Sequence, residues 1–238
     1  MSAESSNRKR PADGVEDDEL PPVPSIERVA HALRTGMSLD DRAFDRFLQY
    51  RWRLASGQHW TPLVVVQRVA AWLDEVGVKT VVDIGSGAGK FCVAAALASH
   101  CEFTGIEQRL RLVDAARHLA RRFGVDDRVG FVHGALGQCP LPEADAYYLY
   151  NPFGENLFGA DDNLGDDVEL SDERYERDVA LMEAFLERAR IGTYVIKYNG
   201  FGGYMPRAYE PIRLDREMPN VLRMWQKTGP SGGATRAR

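Results

Sequence analysis

The sequence reads VVDIGSGAGK at residues 81–90, where a run of β-branched residues passes directly into a glycine-rich turn. Glycine tolerates positive φ angles and lets a ligand approach the bare backbone. The apolar run at 80–84 predicts a buried strand, and the small residues at 88–99 predict a helix. In open α/β sheets, ligands bind at the carboxyl ends of the strands. The stretch therefore predicts a ligand site at the end of the first strand of an α/β domain.

Strands and helices alternate after this turn. Further apolar runs predict strands at 102–106, 129–132, 144–150 and 193–198, and helical spacing predicts helices at 108–123 and from 171 to about 190. Two late segments, 211–218 and 221–227, fit an antiparallel hairpin. The alternation predicts an α/β fold with a doubly wound, mostly parallel seven-stranded sheet, a C-terminal antiparallel hairpin and extra N-terminal helices.

The chain divides by composition into four parts. We expect a disordered N-terminal tail at 1–24, a helical segment at 25–78, the α/β domain at 79–228 and a flexible tail at 229–238. Ser25 is a predicted helix cap. Thr61 before Pro62 predicts a second helix start, with the Thr61 hydroxyl as its cap.

Charge and cysteine usage narrow the class of protein. The net charge of −5 gives no overall attraction to nucleic acid or anionic lipid. No apolar run is long enough to span a membrane, and the N-terminus lacks the apolar region of a secretory signal. The three cysteines have neither disulfide-framework nor metal-ligand spacing. We therefore expect a cytoplasmic protein without a bound metal.

The spacing of the turn separates two kinds of cofactor site. Dinucleotide-binding turns read GxGxxG, whereas this one reads GxGxG with Asp83 two residues before the first glycine. A carboxylate there disfavours a diphosphate but tolerates a cationic sulfonium. A second acid, Glu107, ends the next predicted strand in Gly105-Ile106-Glu107. The two segments together resemble motifs I and II of class I S-adenosylmethionine-dependent methyltransferases.

The resemblance implies S-adenosylmethionine as the cofactor and Glu107 as the acceptor for both ribose hydroxyls. The chain departs from the family pattern after the third strand, where Ala135 stands near the position of an acid that often binds adenine. The residues expected to bind the cofactor are Asp83, Gly85, Ser86, Gly87, Gly89, Glu107, Gln108 and Asn151.

Tyr150-Asn151-Pro152-Phe153 ends the fourth predicted strand. It resembles in part the Asn-Pro-Pro-Tyr motif of methyltransferases that modify planar nitrogens, with one proline and a final Phe153 as departures. That resemblance implies that Asn151 and Phe153 are the catalytic residues and that they position the acceptor. The alternative is a strand-end turn in which Asn and Pro serve only the turn geometry.

Three other segments have two interpretations each. The segment 154–173 holds eight acidic residues and no Lys or Arg, which fits either a solvated loop or an acidic rim for a cationic substrate. Trp60, preceded by His59, fits either a lid over the cofactor or a hydrophobic staple. Residues 197–203 fit either a wall of the substrate site or a glycine-rich connection.

We expect a methyltransferase with an unidentified acceptor, in which nitrogen is one candidate atom and a small molecule or protein is favoured over nucleic acid. The alternatives are a non-catalytic module that binds S-adenosylmethionine and an NAD-dependent oxidoreductase on a related fold. The sequence leaves the oligomeric state open.

Overall fold

A computed structural model describes residues 24–159 and 162–230. Residues 1–23 and 231–238, which make up most of the predicted tails at 1–24 and 229–238, lie outside the described residues. A seven-stranded sheet has the strand order β3-β2-β1-β4-β5-β7-β6. All neighbouring pairs from β3 to β5 are parallel, and β7 pairs antiparallel with both β5 and β6. The predicted α/β fold with its C-terminal antiparallel hairpin is confirmed.

The strands of the sheet are β1 (Thr80–Ile84), β2 (Glu102–Glu107), β3 (Val129–His133), β4 (Ala146–Tyr150), β5 (Tyr194–Tyr198), β6 (Tyr209–Asp215) and β7 (Leu222–Lys227). The helices are α1 (Ile26–Arg34), α2 (Asp41–Asp45), α3 (Tyr50–Leu54), α4 (Ser56–His59), α5 (Leu63–Glu75), α6 (Lys90–Ala98), α7 (Leu110–Phe123) and α8 (Asp172–Arg188), and Gly154–Leu157 form a 3-10 turn.

Helices cover both faces of the sheet. Val81 of β1 lies in a large core with α1, α5, α6 and α7, whereas Val82 and Ile84 point to the other face, where α8 packs. The period of two along the strand explains this division. Because both faces are covered, polar side chains reach solvent mainly at the strand ends, and the carboxyl ends of the parallel strands meet at one edge.

The helix before β1 begins differently from the sequence prediction. Ser25 caps α1 as expected, since its side chain accepts a hydrogen bond from the Arg28 N–H. The Thr61 hydroxyl, however, shares a buried 3.0 Å hydrogen bond with the hydroxyl of Tyr148 and caps nothing. Asp41 accepts the Leu63 N–H instead, at 2.9 Å. The prediction for Thr61 was wrong because a residue distant in sequence supplies the cap.

Within the described part of the chain, no helix combines the length and the apolar character needed to cross a membrane.

Candidate active site

The glycine turn after β1 is shaped by close contacts on its glycines. Gly87 has a φ of +56°, and a Cβ there would lie 2.1 Å from the ring of Trp60. Gly89 has a φ of +80°, and a Cβ there would lie 2.7 Å from Ala116 and from the ring of Phe131. Both positions thus require glycine for the backbone angle and for space. The turn is pressed between Trp60 on one side and the α7 and β3 layer on the other.

Glu107 connects the end of β2 to the turn. Its Oε2 accepts the N–H of Gly87 at 3.0 Å, and its Oε1 accepts the N–H of Arg109 at 2.8 Å. Burial raises the pKa of this carboxyl, although the two backbone N–H groups and the charge of Arg109 oppose that rise. Each carboxylate oxygen has further acceptor capacity. Glu107 lines the cavity described next, so this capacity is available to a ligand.

A cavity runs along the carboxyl ends of β1, β2 and β4, bounded by α8 and by the segment before α5. Of the predicted site residues, the ones that line it are Gly85, Gly87, Glu107, Gln108, Asn151 and Phe153. The others, Asp83, Ser86 and Gly89, are absent from its lining. Ser86 is buried with its hydroxyl against Gly105. The cofactor roles of these three residues stay predictions.

Asp83 is buried beneath the turn. Its carboxylate accepts a hydrogen bond from the Cys92 thiol at 3.4 Å. Burial raises the pKa of Asp83 to about 7, with the nearby charge of Glu107 acting in the same direction and the thiol opposing it. Burial beside this acid also raises the pKa of Cys92, so the thiol stays protonated and able to donate.

We expect Asp83 to make the ligand-free protein less stable as the pH rises from about 4 to about 7. In that range the unfolded chain loses the proton while the folded chain retains it, so the free energy of unfolding falls with rising pH. Asp83→Asn should remove this contribution. Urea unfolding of both proteins across the range measures it, with Asp114→Asn on the surface as the control. Parallel pH profiles for the wild type and Asp83→Asn would contradict the assignment.

Arg109 joins the cavity wall to the described parts of the acidic segment, 154–159 and 162–173, which are called the acidic loop below. The buried guanidinium donates to Glu155 from Nη1 at 2.6 Å and from Nη2 at 2.9 Å, and from Nε to Asp167 at 3.0 Å. Arg111 adds a second ion pair to Asp167 at 2.7 Å. Bidentate arginine–carboxylate pairs are directional and strong. The loop is therefore held over the cavity, and two of its acids are already neutralised within the protein.

A series of buried, hydrogen-bonded side chains lies on the other side of Glu107, and the sequence analysis did not predict it. On α8, Arg174 donates from Nε to Asp178 Oδ2 at 2.8 Å and from Nη2 to Gln108 Oε1 at 3.0 Å. Asp178 Oδ1 is buried without a hydrogen-bond donor, and Arg177 Nε, 3.8 Å away, is beyond hydrogen-bond distance. All of Gln108, Arg174 and Asp178 line the cavity. The i, i+4 pairing of Arg174 and Asp178 was the available signal, but it is common on helices.

The ends of β4 and β5 bring two asparagines together. Asn151 has a φ of +42° and Asn199 a φ of +58°, and they are the non-glycine residues with positive φ in the described ranges. Tyr150 and Tyr198, the residues before them, are paired in the sheet. Both asparagines line the cavity. Such backbone angles are uncommon and concentrate at functional sites.

Aromatic rings form the walls near the asparagines. The cavity is lined by Trp60, Tyr150 and Phe158, and by the buried Phe153. His59 lies 5.7 Å from Phe158 between ring centroids. Burial lowers the pKa of His59, so its imidazole is neutral at pH 7. The segment at 58–60 thus lines the cavity, and Trp60 Nε1 donates to Trp52 O at 2.8 Å, which ties the segment to the N-terminal helices as the staple interpretation expects. The lid over the cofactor stays a prediction.

The residues present fit S-adenosylmethionine better than a dinucleotide. The N–H groups of Gly85 and Ser86 both donate to Ile106 O, that of Gly87 donates to Glu107, and that of Gly89 donates to Ser86 O. These donors are not free for a pyrophosphate. The cavity instead offers acceptors to hydroxyl, ammonium and amino groups: Glu107, Asp178 Oδ1 and the unpaired Asn156 Oδ1.

We expect Asp178→Asn to weaken binding of S-adenosylhomocysteine about tenfold, because a hydrogen bond to a charged acceptor contributes ~1.5–3 kcal/mol. If Glu107 holds the ribose, the adenine base extends into the part of the cavity lined by Asp178, whose unpaired Oδ1 would accept a hydrogen bond from the amino group of the base. S-inosylhomocysteine, which carries an oxygen there, should lose much less affinity. Calorimetry with both ligands tests this. An equal loss for both ligands would mean that Asp178 acts only through folding.

Comparison with known proteins agrees with this fit. The model of a family described as "Methyltransferase domain" matches residues 77–148. An RNA methyltransferase from Salinibacter ruber, solved with S-adenosyl-L-homocysteine, is 25% identical, with a TM-score of 0.52 over 74% of this chain and 96% of its own. No curated protein matches the sequence.

Two further structures share the fold. An O-methyltransferase from Bacillus cereus in complex with S-adenosylhomocysteine is 14% identical, with a TM-score of 0.51 over 85% of this chain and 100% of its own. Mitomycin 7-O-methyltransferase is 17% identical, with a TM-score of 0.52 over 85% of this chain and 67% of its own. The family match at residues 77–148, the 25% identical methyltransferase solved with S-adenosyl-L-homocysteine, the glycine turn and Glu107 together indicate a class I, Rossmann-like methyltransferase that uses S-adenosylmethionine.

Proposed function

We propose that this enzyme methylates a nitrogen atom of a small planar acceptor. The observation that carries the proposal is the pair of left-handed asparagines, Asn151 and Asn199, in the cavity that also contains Glu107. Amide oxygens at this point are acceptors for the N–H groups of the substrate and fix the direction of the nitrogen lone pair. The aromatic walls suit a flat ring.

The position of Asn151 is set by the backbone on both sides. Its N–H donates to Gly200 O at 2.9 Å, and its carbonyl accepts the Gly154 N–H at 3.1 Å. Its side chain lies against Gly154, where a Cβ would come within 2.1 Å of Asn151 Nδ2. A backbone fixed in this way, with the side chain against Gly154, favours catalysis by alignment because the amide needs little reorganisation when an acceptor binds.

The bound cofactor supplies the activated methyl group. The protein must align the acceptor and exclude water, which the Arg109-held loop and Trp60 accomplish around the cavity. A neutral His59 is able to take up the proton that a nitrogen acceptor loses. The same cavity is lined by Glu107 and by Asn151, which favours an enzyme over a non-catalytic binding module.

RNA is the second candidate acceptor, because the Salinibacter ruber neighbour is described as an RNA methyltransferase. A basic face for RNA would have to be built from Arg51, Arg53, Arg109, Arg111, Arg121 and Arg122. Several of these side chains are engaged within the protein. Arg109 is buried among carboxylates, Arg51 stacks on Trp52 at 3.8 Å, and Arg122 lies 5.1 Å from the ring of Phe47. These contacts favour a small molecule over a nucleic acid. We also propose that the reaction takes place in the cytoplasm, given the three free cysteines.

The test is a panel of acceptors with release of S-adenosylhomocysteine as the readout. It contains planar nitrogen heterocycles, amines and primary amides, their oxygen and sulfur analogues, and short RNA. We expect methylation of members with a planar nitrogen. Turnover only with the oxygen analogues or only with RNA would overturn the proposal.

Two variants at one position sharpen this test. Asn151→Gly keeps the left-handed backbone and removes the amide, and should lose most of kcat while binding S-adenosylmethionine within a few-fold of the wild type. Asn151→Asp keeps an acceptor oxygen and should retain more turnover than Asn151→Gly. Full turnover by Asn151→Gly would contradict the role of the side chain.

A further inference from the structure

A second cavity lies beside the first, at the end of β5 and the start of β7. Lys197, Arg216 and Arg223 contribute three cationic side chains to its lining. Asn199 lines both cavities and therefore joins this cationic cavity to the methyl-transfer site. The cationic cavity, defined here by Lys197, Arg216 and Arg223, has no role in the functions described so far.

Among the described residues, no carboxylate forms an ion pair with the cations of this cavity. Lys197 on β5 stands directly opposite Arg223 on β7 in the antiparallel register. In the described ranges, none of the three cations forms an ion pair with an acid. Like charges opposite each other on neighbouring strands are destabilising. A protein with a net charge of −5 contains enough acidic residues to pair with these cations, yet the described acids do not pair with them.

The environment of Lys197 adds to the cost of this arrangement. Its side chain is half-buried, and burial together with the charge of Arg223 lowers the pKa of Lys197. Its ammonium lies 5.1 Å from the ring centroid of Phe201 and 5.8 Å from that of Trp225. These cation–π contacts offset part of the hydration free energy that burial removes. Elsewhere the buried cations Lys90 and Arg109 each have carboxylate partners. Local arrangements that reduce stability are expected where a protein binds something.

We propose that Lys197, Arg216 and Arg223 bind an anionic group of the methyl acceptor, a carboxylate or a phosphate, while the atom that is methylated lies beside Asn151. The proposal rests on the proposed function and narrows it to anionic nitrogen acceptors. The acidic loop does not oppose it at the cavity wall, because Glu155 and Asp167 are neutralised by Arg109.

A small molecule fits better than an RNA backbone. The cationic cavity is local, and Asp215, the acid that precedes Arg216 in sequence, forms its own ion pair with Arg68 at 3.3 Å. A polymer would require a continuous basic surface along several phosphates. A single carboxylate or phosphate requires only the convergent donors found here.

The test uses inorganic phosphate and acetate as probes on the full chain without cofactor or acceptor. At constant ionic strength, we expect saturable chemical-shift changes at the amides of Gly200 and Val221 and an increase in Tm. Lys197→Met and Arg223→Gln should each weaken binding about tenfold or more. Arg34→Gln, which removes an exposed cation of α1, should leave binding unchanged. Lys197→Met should fold at least as stably as the wild type, because it removes a like-charge contact.

The outcomes distinguish a phosphate from a carboxylate as the bound group, and they test the anionic site separately from nitrogen methylation. Preference for phosphate or for acetate identifies the anionic group. No saturable binding of either probe, or binding unaffected by Lys197→Met and Arg223→Gln, would overturn the anionic site, and so would preferential binding of single-stranded RNA there. Since the probes need no acceptor, such a failure leaves nitrogen methylation standing. Conversely, a panel without nitrogen methylation would reject the proposed function even if both probes bind.

Discussion

Replacing Glu107 with alanine should weaken S-adenosylmethionine binding by a factor of about 100 or more. Two hydrogen bonds from ribose hydroxyls to a carboxylate contribute ~1.5–3 kcal/mol each, and the cavity supplies no second acid at the end of β2. The variant also frees the N–H groups of Gly87 and Arg109, which Glu107 accepts in the protein. Calorimetric titration with S-adenosylmethionine measures the loss.

Two further variants serve as controls for this prediction: one changes another acid of the same strand, and the other changes Glu107 conservatively. Glu102→Ala changes an exposed acid at the opposite end of β2 and should leave affinity unchanged. Glu107→Gln retains one acceptor oxygen and should bind with intermediate affinity. If Glu107→Ala bound S-adenosylmethionine as tightly as the wild type, the ribose assignment would be wrong and the turn would have to hold the cofactor in another way.

Replacing Lys90 with methionine should lower the free energy of unfolding by about 3–5 kcal/mol, because removal of one partner of a buried ion pair leaves an uncompensated charge. Lys90 is buried at the start of α6, with its ammonium 2.6 Å from Asp41, 2.8 Å from Asp45 and 3.2 Å from the Ser56 hydroxyl. The side chain of Asp45 is 8% exposed, so water cannot replace the lost partner. Urea unfolding measures the change.

A second substitution distinguishes loss of the ion pair from loss of packing. Asp45→Asn in the Lys90→Met background removes the stranded charge and should recover a large part of the stability. Lys79→Met changes an exposed lysine and should have little effect. A loss below about 1 kcal/mol for Lys90→Met would show that the ion pairs are solvated in solution.

The fold and the first half of the site were readable from local sequence. Strand and helix periodicity fixed the alternation of elements, and the turn at 81–90 together with Glu107 lies on two consecutive strand–turn units. Such features depend on neighbours within a few residues, which is the range over which sequence patterns carry structural information. Asn151 and Phe153 were also found in the cavity, since strand ends of a parallel sheet converge.

The rest of the site depends on contacts between distant residues. Arg109 pairs with Glu155 and Asp167, which are 46 and 58 positions away in sequence. Counting eight acids in a loop without Lys or Arg suggested free negative charge. Two of these acids, however, pair with Arg109 in the β2–α7 connection and with Arg111 at the start of α7. Thr61 was assigned as a cap for the same reason, because the competing cap from Asp41 is invisible to a local pattern.

The contacts of Trp60 and Lys90 limit how this protein can be divided or recombined. The boundary near residue 79 separates helices from sheet in sequence, but Trp60 fills the space above Gly87, and the acids that pair with Lys90 come from α2. A fragment that starts at β1 would lack the ring of Trp60, leaving an empty apolar space over the turn. It would also leave the buried ammonium of Lys90 without its carboxylate partners. The N-terminal segment is therefore not an exchangeable appendage, and a foreign segment could replace it only by bringing both the aromatic ring and the acids with it.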